Sequence, residues 1–543
     1  MKKKSNFIVQ GSILAMAGII SRVIGIARRI PMEHIIGDKG NGYYSSAYEF
    51  YAIMLMISCY SLPLAVSKVV SAKMMKRQYK NVERVFKCAM AFAICTGGLM
   101  FLLCELLGDF LAAKVVLEPM SAVALKVLGP AILMVSVMGV LRGYFQGLGT
   151  MMPTAISQIL EQVFVLIGSV AGAYFLFGYG EKVGKILHNE DYAPAYGAAG
   201  ASIGPVLGSF IGLLFLLFVL VLYRSQTKRK LSQANVGKVD DYGQIFRLIL
   251  LTVLPVLLSS TVYNLSNFID IRIYNDVMIQ KGLEDVKSYN LGVYSGKYRV
   301  LVNVPIALAN AMCSSIVPIL TGLMVREEYS QVKAKINQAM RFTMIIAIPS
   351  AVGLTVLARP IVSMLFKGEI DMAVELLHIG SISVVFYSMS TLTNGILQGI
   401  NRIKVPVRNA AIALVIHVVF LYATLQIGWG VNALVYANIL FAVLVCVFNA
   451  LSIRTAIKYK QEYIKTFIIP TIASVIMGVL VGVFSMFMSK IIGNILTVLI
   501  GIVIAVIVYL VSLILLKGID ENDLNSMPGG RKVLIIVKKL KLL

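Results

Sequence analysis

The chain has 543 residues, with 50 Lys and Arg against 26 Asp and Glu, a formal charge of +24. Hydrophobic residues make up 58%, charged residues only 14%, and the mean hydropathy is +0.83. No soluble interior hides that much apolar surface, which excludes a cytosolic enzyme or a secreted globule and makes topology, rather than nucleic acid, the first reading of the basic excess.

The apolar residues come in long runs, and a bilayer crossing needs roughly 20 of them. Fourteen runs are predicted as spans, near 7–27, 44–70, 85–107, 121–148, 154–180, 196–223, 244–275, 293–323, 337–366, 374–400, 406–427, 431–453, 466–489 and 492–516. The expected fold is therefore an all-α polytopic membrane protein with 14 transmembrane helices. Lys2, Lys3 and Lys4 ahead of an apolar run with Ala15 and Ala17 have the look of a signal peptide. The run continues through Arg22 to Ala27, so the first span is expected to stay uncleaved. An even number of spans puts both termini on one side. Lys and Arg concentrate in the segments that an inside N-terminus places inside, which predicts cytoplasmic N- and C-termini in a plasma membrane.

Span one carries Ser21-Arg22-Val23-Ile24-Gly25-Ile26-Ala27-Arg28-Arg29. At helical spacing Gly18, Arg22, Gly25 and Arg29 share a face. A charge at this depth costs about 2.5–3.5 kcal/mol on insertion scales, so it needs a wet cavity, an anion, a carboxylate or carbonyls. Arg28 and Arg29 have a further option, to snorkel outward. In span four, Arg142 and Gln146 line one helix face, and Gly139, Gly143 and Gly147 form a ridge of small residues suited to close helix packing. Both cavity lining and interhelical hydrogen bonding suit the Arg142 and Gln146 pair. Glu105, Asp109 and Glu161 read as span-end groups without a role.

Span seven holds Tyr263, Asn267 and Asp270 at i, i+4 and i+7, with Asn264 and Ser266 beside them. A lone acid there is a cation or proton site, or the partner of an arginine. Arg272, Lys297 and Arg299 lie near the outer ends of spans, against the positive-inside trend, where they close a mouth, hold phosphate or simply face water. Span ten repeats the span-four pair as Asn394 and Gln398. The tail 531–543 mixes basic and apolar residues and suits either an interfacial helix or a frayed end. The six Cys fall in or beside apolar runs without a ligand spacing, and the four His are scattered, so neither a metal site, a disulfide framework nor a cofactor is expected.

The chain repeats itself. Gly42-Tyr-Tyr44-Ser45-x-x-Tyr48 returns as Gly292-Val-Tyr294-Ser295-x-x-Tyr298, an offset of 250. Gly143-x-x-Gln146-Gly147, followed by Pro153, returns as Gly395-x-x-Gln398-Gly399, followed by Pro406, an offset of 252. Tyr196-Gly197 returns as Trp429-Gly430 at 233. The organisation read from this is an N-terminal six-helix lobe at 1–223, a cytoplasmic linker at 224–243, a second six-helix lobe at 244–458, two added helices within 459–516 and a basic tail at 517–543. Six spans per lobe make the repeat parallel, with a pseudo-two-fold along the membrane normal and a site expected between the lobes.

With these residues the chain resembles the multidrug/oligosaccharidyl-lipid/polysaccharide exporter superfamily. Within it, the chain is similar to the MurJ-type lipid II flippases and to the stage V sporulation protein B group of polysaccharide biosynthesis proteins. Two six-span lobes plus two spans is that layout. Ser21 to Arg28 resembles the family's first-span signature, which implies a role in holding a lipid diphosphate for Arg22 and Arg28. The family's basic residue in span eight falls nearest Lys297, with Arg299 as rival. Tyr43 stands where some members have an acid, with Glu49 six residues on. Asn409 matches one sodium ligand of span eleven, but Ala413 stands where its acidic partner would be, which favours Asp270 as the coupling group.

The resemblance implies a flippase, not an enzyme. It would move undecaprenyl-diphosphate-linked muropeptide, lipid II, to the outer leaflet by alternating access. The substrate-binding candidates are Arg22, Arg28, Arg29, Arg142, Gln146, Arg272, Lys297, Arg299, Asn394 and Gln398. The ion-coupling candidates are Asp270, Asn267 and Asn409. A monovalent cation or the membrane potential would drive it, and its partners would be the polyprenyl-diphosphate-linked glycan, the bilayer and cell-wall synthesis or division proteins. A flippase for another polyprenyl-linked oligosaccharide (capsule, teichuronic acid or spore cortex) is the alternative, ahead of a drug/cation antiporter or a scaffold without transport.

Overall fold

A computed structural model describes residues 2–59, 62–231 and 239–519. Residues 232–238 of the expected linker, the tail from 520, read from sequence as an interfacial helix or a frayed end, and the side chains of Pro255, Tyr263 and Asn264 lie outside the described residues. The described residues form helices and turns and no strand. The chain divides into two compact units, Met1–Gly296 and Lys297–Leu543.

The first unit contains α1 (Lys2–Cys59), α2 (Leu62–Met75), α3 (Tyr79–Phe110), α4 (Ala122–Gly147), α5 (Met152–Leu187), α6 (Tyr192–Leu231), α7 (Tyr242–Gln280) and α8 (Glu284–Val293). The second contains α9 (Arg299–Val325), α10 (Tyr329–Val356), α11 (Ala358–Leu365), α12 (Asp371–Gly380), α13 (Ser383–Gly399), α14 (Lys404–Ile427), α15 (Asn432–Ile457) and α16 (Ile469–Leu515).

Among the described residues, ten helices are long and apolar enough to cross a membrane, or eleven if the bent pair α12 and α13 counts as one span. This is a multi-pass membrane protein. The first two expected spans fall in one continuous apolar stretch, Met16–Met75. The expected seventh and eighth spans fall in the long helices α7 and α9, where the side chains of 254–264, 308, 311, 314 and 315 lie outside the described residues and the apolar segments described are Tyr242–Val253 and Ile316–Val325. Helix α1 is broken at Gly37, whose non-helical backbone (φ +66°) joins two helical segments across a kink, a conformation that glycine adopts without strain.

Small residues set the helix spacings, as expected where lipid gives helices no hydrophobic drive to associate. The ridge Gly139, Gly143 and Gly147 on α4 lies against α2; a Cβ on Gly143 would stand 2.6 Å from the Pro63 carbonyl oxygen. The second unit repeats this arrangement, with Gly395 against Cys313 and Gly399 against Leu320 of α9. Helices α5 and α6 approach as closely: a Cβ on Gly200 would lie 2.1 Å from the Gly172 oxygen.

The residues that lead into α7 are tied down. Asp240 pairs with Lys73, its backbone N–H donates to Asn81 Oδ1 (2.9 Å), and its carbonyl accepts from Arg84 (2.6 Å). Asp241 then caps α7, its carboxylate accepting from the Gly243 N–H while Gln244 Oε1 accepts from its own.

Candidate functional site

Helix α1 brings three arginines into one segment with different fates. Arg22 is exposed, Arg29 half-buried, and Arg28 only 7% exposed. The face shared by Gly18, Arg22, Gly25 and Arg29 is thus not the one that buries a cation. Arg28 lies on the neighbouring face. One of its terminal nitrogens donates to Tyr44 Oη (3.2 Å) and to Ser169 Oγ (3.0 Å) of α5. Ser169 in turn donates to the Ala201 carbonyl (2.8 Å) of α6. The buried Arg28 Nε has no hydrogen-bond partner.

Both Arg28 and Arg29 stand near the face of the Tyr44 ring, 5.9 and 5.6 Å from its centroid. Such cation–π contacts contribute about 2 kcal/mol when desolvated. Tyr44 stacks on Tyr48 at 5.6 Å, and Tyr48 meets Tyr51 at the same distance. The aromatic ladder was visible in the sequence only as part of the repeat motif. Nothing in the sequence marked Ser169.

The two copies of that motif meet inside the first unit. A Cβ on Gly42 would lie 1.9 Å from the Ser288 carbonyl oxygen, and one on Gly292 would lie 1.7 Å from that of Asp38. Each glycine therefore packs on the residue four positions before the other, and Ser45 donates to Ser295 at 2.6 Å. These contacts make a two-fold-like crossing of α1 and α8, self-complementary in the manner of an isologous interface. A buried ion pair flanks it: Lys287 donates to Glu118 (2.9 Å) and to the Leu117 carbonyl (2.8 Å), and Ser288 adds a further bond to Glu118. Both charged side chains are about 5% exposed or less.

Arg142 does not stand alone. It donates to Ser157 Oγ (3.0 Å) and to Glu161 Oε2 (2.7 Å), both on α5. Glu161, read from sequence as a span-end group, is its counter-ion. Arg142 also lines a cavity of about 320 Å³ with Leu55, Met56, Cys59, Pro63 and Gly139. Removing either partner strands a charge, whereas removing both leaves neutral groups that can hydrogen-bond. Arg142→Gln alone is expected to destabilise the protein by about 3 kcal/mol, and adding Glu161→Gln to return most of that, as thermal melting in detergent would register. Gln146, one turn on, is half-buried.

On α7, Asp270 is buried and Asn267 half-buried, and Arg272 pairs with Asp276 at 3.4 Å along the same helix. In the second unit Lys297 is fully buried, its ammonium donating to the carbonyls of Lys367 (2.5 Å) and Glu369 (2.8 Å). Arg299 is half-buried. Asn394 accepts from Asn449 of α15 (2.7 Å), whose Oδ1 accepts from Asn409 of α14 (2.9 Å); Asn409 also donates to Ser452 (3.1 Å). Asn394 and Asn409, read from sequence into different roles, thus belong to one buried network through Asn449, which the sequence reading missed. Gln398 is exposed.

Bundled helices with buried, hydrogen-bonded cations and polar networks inside membrane spans define a polytopic transporter. Residues 8–324 match the polysaccharide biosynthesis protein family, to which the chain belongs, and residues 255–423 match the MatE family. The lipid II flippase MurJ of Bacillus subtilis (strain 168) is 26% identical over 423 residues, 75% of this chain and 75% of that protein. Stage V sporulation protein B of the same organism is 25% identical over 479 residues, 86% of this chain and 88% of that protein. Among solved structures, the lipid II flippase MurJ in an inward closed conformation aligns with a TM-score of 0.63 at 15% identity, covering 92% of this chain and 97% of that one. A multidrug resistance MATE family transporter of the MOP superfamily, inward-facing, aligns at 0.64 and 16% identity, covering 83% of this chain and 99% of that one. The fold is that of the MOP superfamily, and the relatives named for an activity are a lipid II flippase and a multidrug resistance transporter.

Proposed function

We propose that this chain is a flippase for a polyprenyl-diphosphate-linked glycan, with lipid II as the cargo, working by alternating access with both termini in the cytoplasm. The observation that carries the reading is the arginine cluster of α1. Arg28 is held inside a membrane span with an unsatisfied Nε, and Arg22 stands exposed on the same helix. A diphosphate is the ligand a guanidinium fork suits, because the contact is bidentate and the charge is permanent. The relatives named as a lipid II flippase and a sporulation protein support the class of cargo.

A membrane potential, negative inside, biases any step that moves net charge, by about 2.3 kcal/mol per elementary charge at 100 mV. Asp270, buried on α7, is the coupling group of this reading. The fold is shared with drug transporters, but a carrier of cationic drugs needs acids available to its cargo. Here Glu161 and Glu118 are occupied by Arg142 and Lys287, and the other buried acids of this unit, Glu33, Asp38 and Asp270, also have interactions within the protein.

The test is complementation of a bacterium depleted of its lipid II flippase, comparing wild type with Arg22→Ala at matched membrane levels. Rescue by wild type, lost in the variant, is the expected result. Failure of a correctly inserted wild type would move the cargo to another polyprenyl-linked glycan, the reading that the match to the polysaccharide biosynthesis protein family favours. Rescue by both would remove Arg22 from the substrate path.

A further inference from the structure

We propose that the second unit carries a binding site for an anionic glycerophospholipid, in the pocket where α15 ends and the next span begins. The pocket encloses about 500 Å³, and its walls include Met340, Leu451, Arg454, Lys460, Tyr463 and Phe467. Its place follows from the chain. Helix α15 is apolar and long enough to cross a membrane as Asn432–Ile457, and the next such segment starts at Ile464, so Arg454 in the last turn and Lys460 in the connection fall where the apolar segments end.

The electrostatics favour an anion. The nearby carboxylate, Glu462, is occupied by Arg341 at 2.8 Å. Arg454 and Lys460 are both exposed and have no hydrogen-bond or ion-pair partner among the described residues. Tyr459, at the base of the pocket, donates to Asn337, and burial, with the Glu462 charge behind it, pushes its phenol well above the ordinary range. It remains a neutral donor and adds no competing negative charge.

The apolar wall favours a lipid over a free anion. Leu451 is 53% exposed, Tyr463 66% and Ile464 63%, forming a surface that continues down the spans toward acyl chains. A basic pocket between transmembrane helices at headgroup level is the arrangement that recognises lipid phosphate, while aromatic rings at that level suit the interface. This site lies in a different unit from the α1 arginines and does not depend on their role.

The full chain in detergent would be titrated with phosphatidylglycerol, phosphatidylcholine and soluble glycerol 3-phosphate, with bound lipid counted by native mass spectrometry. Phosphatidylglycerol is expected to bind roughly tenfold or more tightly than phosphatidylcholine, each basic residue at a membrane surface contributing to that preference. The double variant Arg454→Gln/Lys460→Gln should abolish the preference, and Arg402→Gln, an exposed cation elsewhere, should keep it. Ala450→Trp, which fills the pocket while leaving both cations, should lower occupancy without lowering the melting temperature. Equal binding of the two phospholipids, or a preference that survives the double variant, would overturn the proposal. Competition by glycerol 3-phosphate at the same concentration would make this a pocket for a free anion. Displacement by a polyprenyl diphosphate at substoichiometric amounts would make it a cargo site, again overturning the assignment.

Discussion

Arg28→Ala is expected to lower transport per correctly folded molecule by about 10- to 100-fold, the loss that follows from removing one charge-assisted contact to a phosphate. The argument is one of placement. Arg28 is 7% exposed in a membrane span, and its identified bonds go to two neutral hydroxyls, Tyr44 and Ser169. Neutral hydroxyls offset only part of the cost of burying a cation, and Nε is left without a partner. On the proposed function, the diphosphate of the cargo would supply the missing charge.

A competing account makes Arg28 a strut that ties α1 to α5 and, through Ser169, to α6. The two separate cleanly. A strut fails when its hydroxyl partner is lost, so Ser169→Ala would lower the melting temperature nearly as much as Arg28→Ala and reduce activity in step. A diphosphate ligand group behaves otherwise: Arg28→Lys keeps the charge but loses the planar fork, so it folds normally and still transports poorly. Melting curves and a flipping assay on Arg28→Ala, Arg28→Lys and Ser169→Ala would settle the choice.

Gly292→Val should be the most damaging single change to the fold. Even the first carbon of a side chain would sit 1.7 Å from the Asp38 carbonyl oxygen, which is backbone and cannot rotate away. Helices α1 and α8 would have to part by more than 1 Å, breaking the Ser45–Ser295 bond and disturbing the Lys287–Glu118 pair beside it. Overpacking costs typically 1–3 kcal/mol and more where backbone must move, so a fall of about 5–10 °C in melting temperature is expected. Gly42→Val should match it, since the crossing is two-fold-like. Gly98→Ala on α3, where a Cβ meets nothing within 4 Å, is the control, and helix propensity predicts no loss there. Equal melting of Gly292→Val and Gly98→Ala would mean that the α1–α8 crossing is not a close one.

The sequence by itself determined the medium and much of the framework. Long apolar runs and scarce charge require a membrane, because no soluble core could absorb them. The motif repeated at an offset of 250 was legible as a repeat; that its two copies touch, with Gly42 and Gly292 packed reciprocally and Ser45 bonded to Ser295, is seen only in the structure. The span-four glycine ridge was legible because spacing alone puts its members on one helix face.

Tertiary structure alone decided who pairs with whom. Spacing said that Arg142 needed a partner, but not that α5 would turn Glu161 toward it. It placed Arg22 and Arg29 on a face, yet the rotation of α1 against α5 buried Arg28 instead. It left Lys297 a choice of roles, and the chain fold brought the carbonyls of Lys367 and Glu369 to its ammonium. Asn449 gave no signal of its own, since an asparagine in an apolar run is informative only once its neighbours are known. Periodicity fixes which residues share a helix face. The partner that face meets depends on helix rotation and on contacts distant in sequence, and those are set by packing.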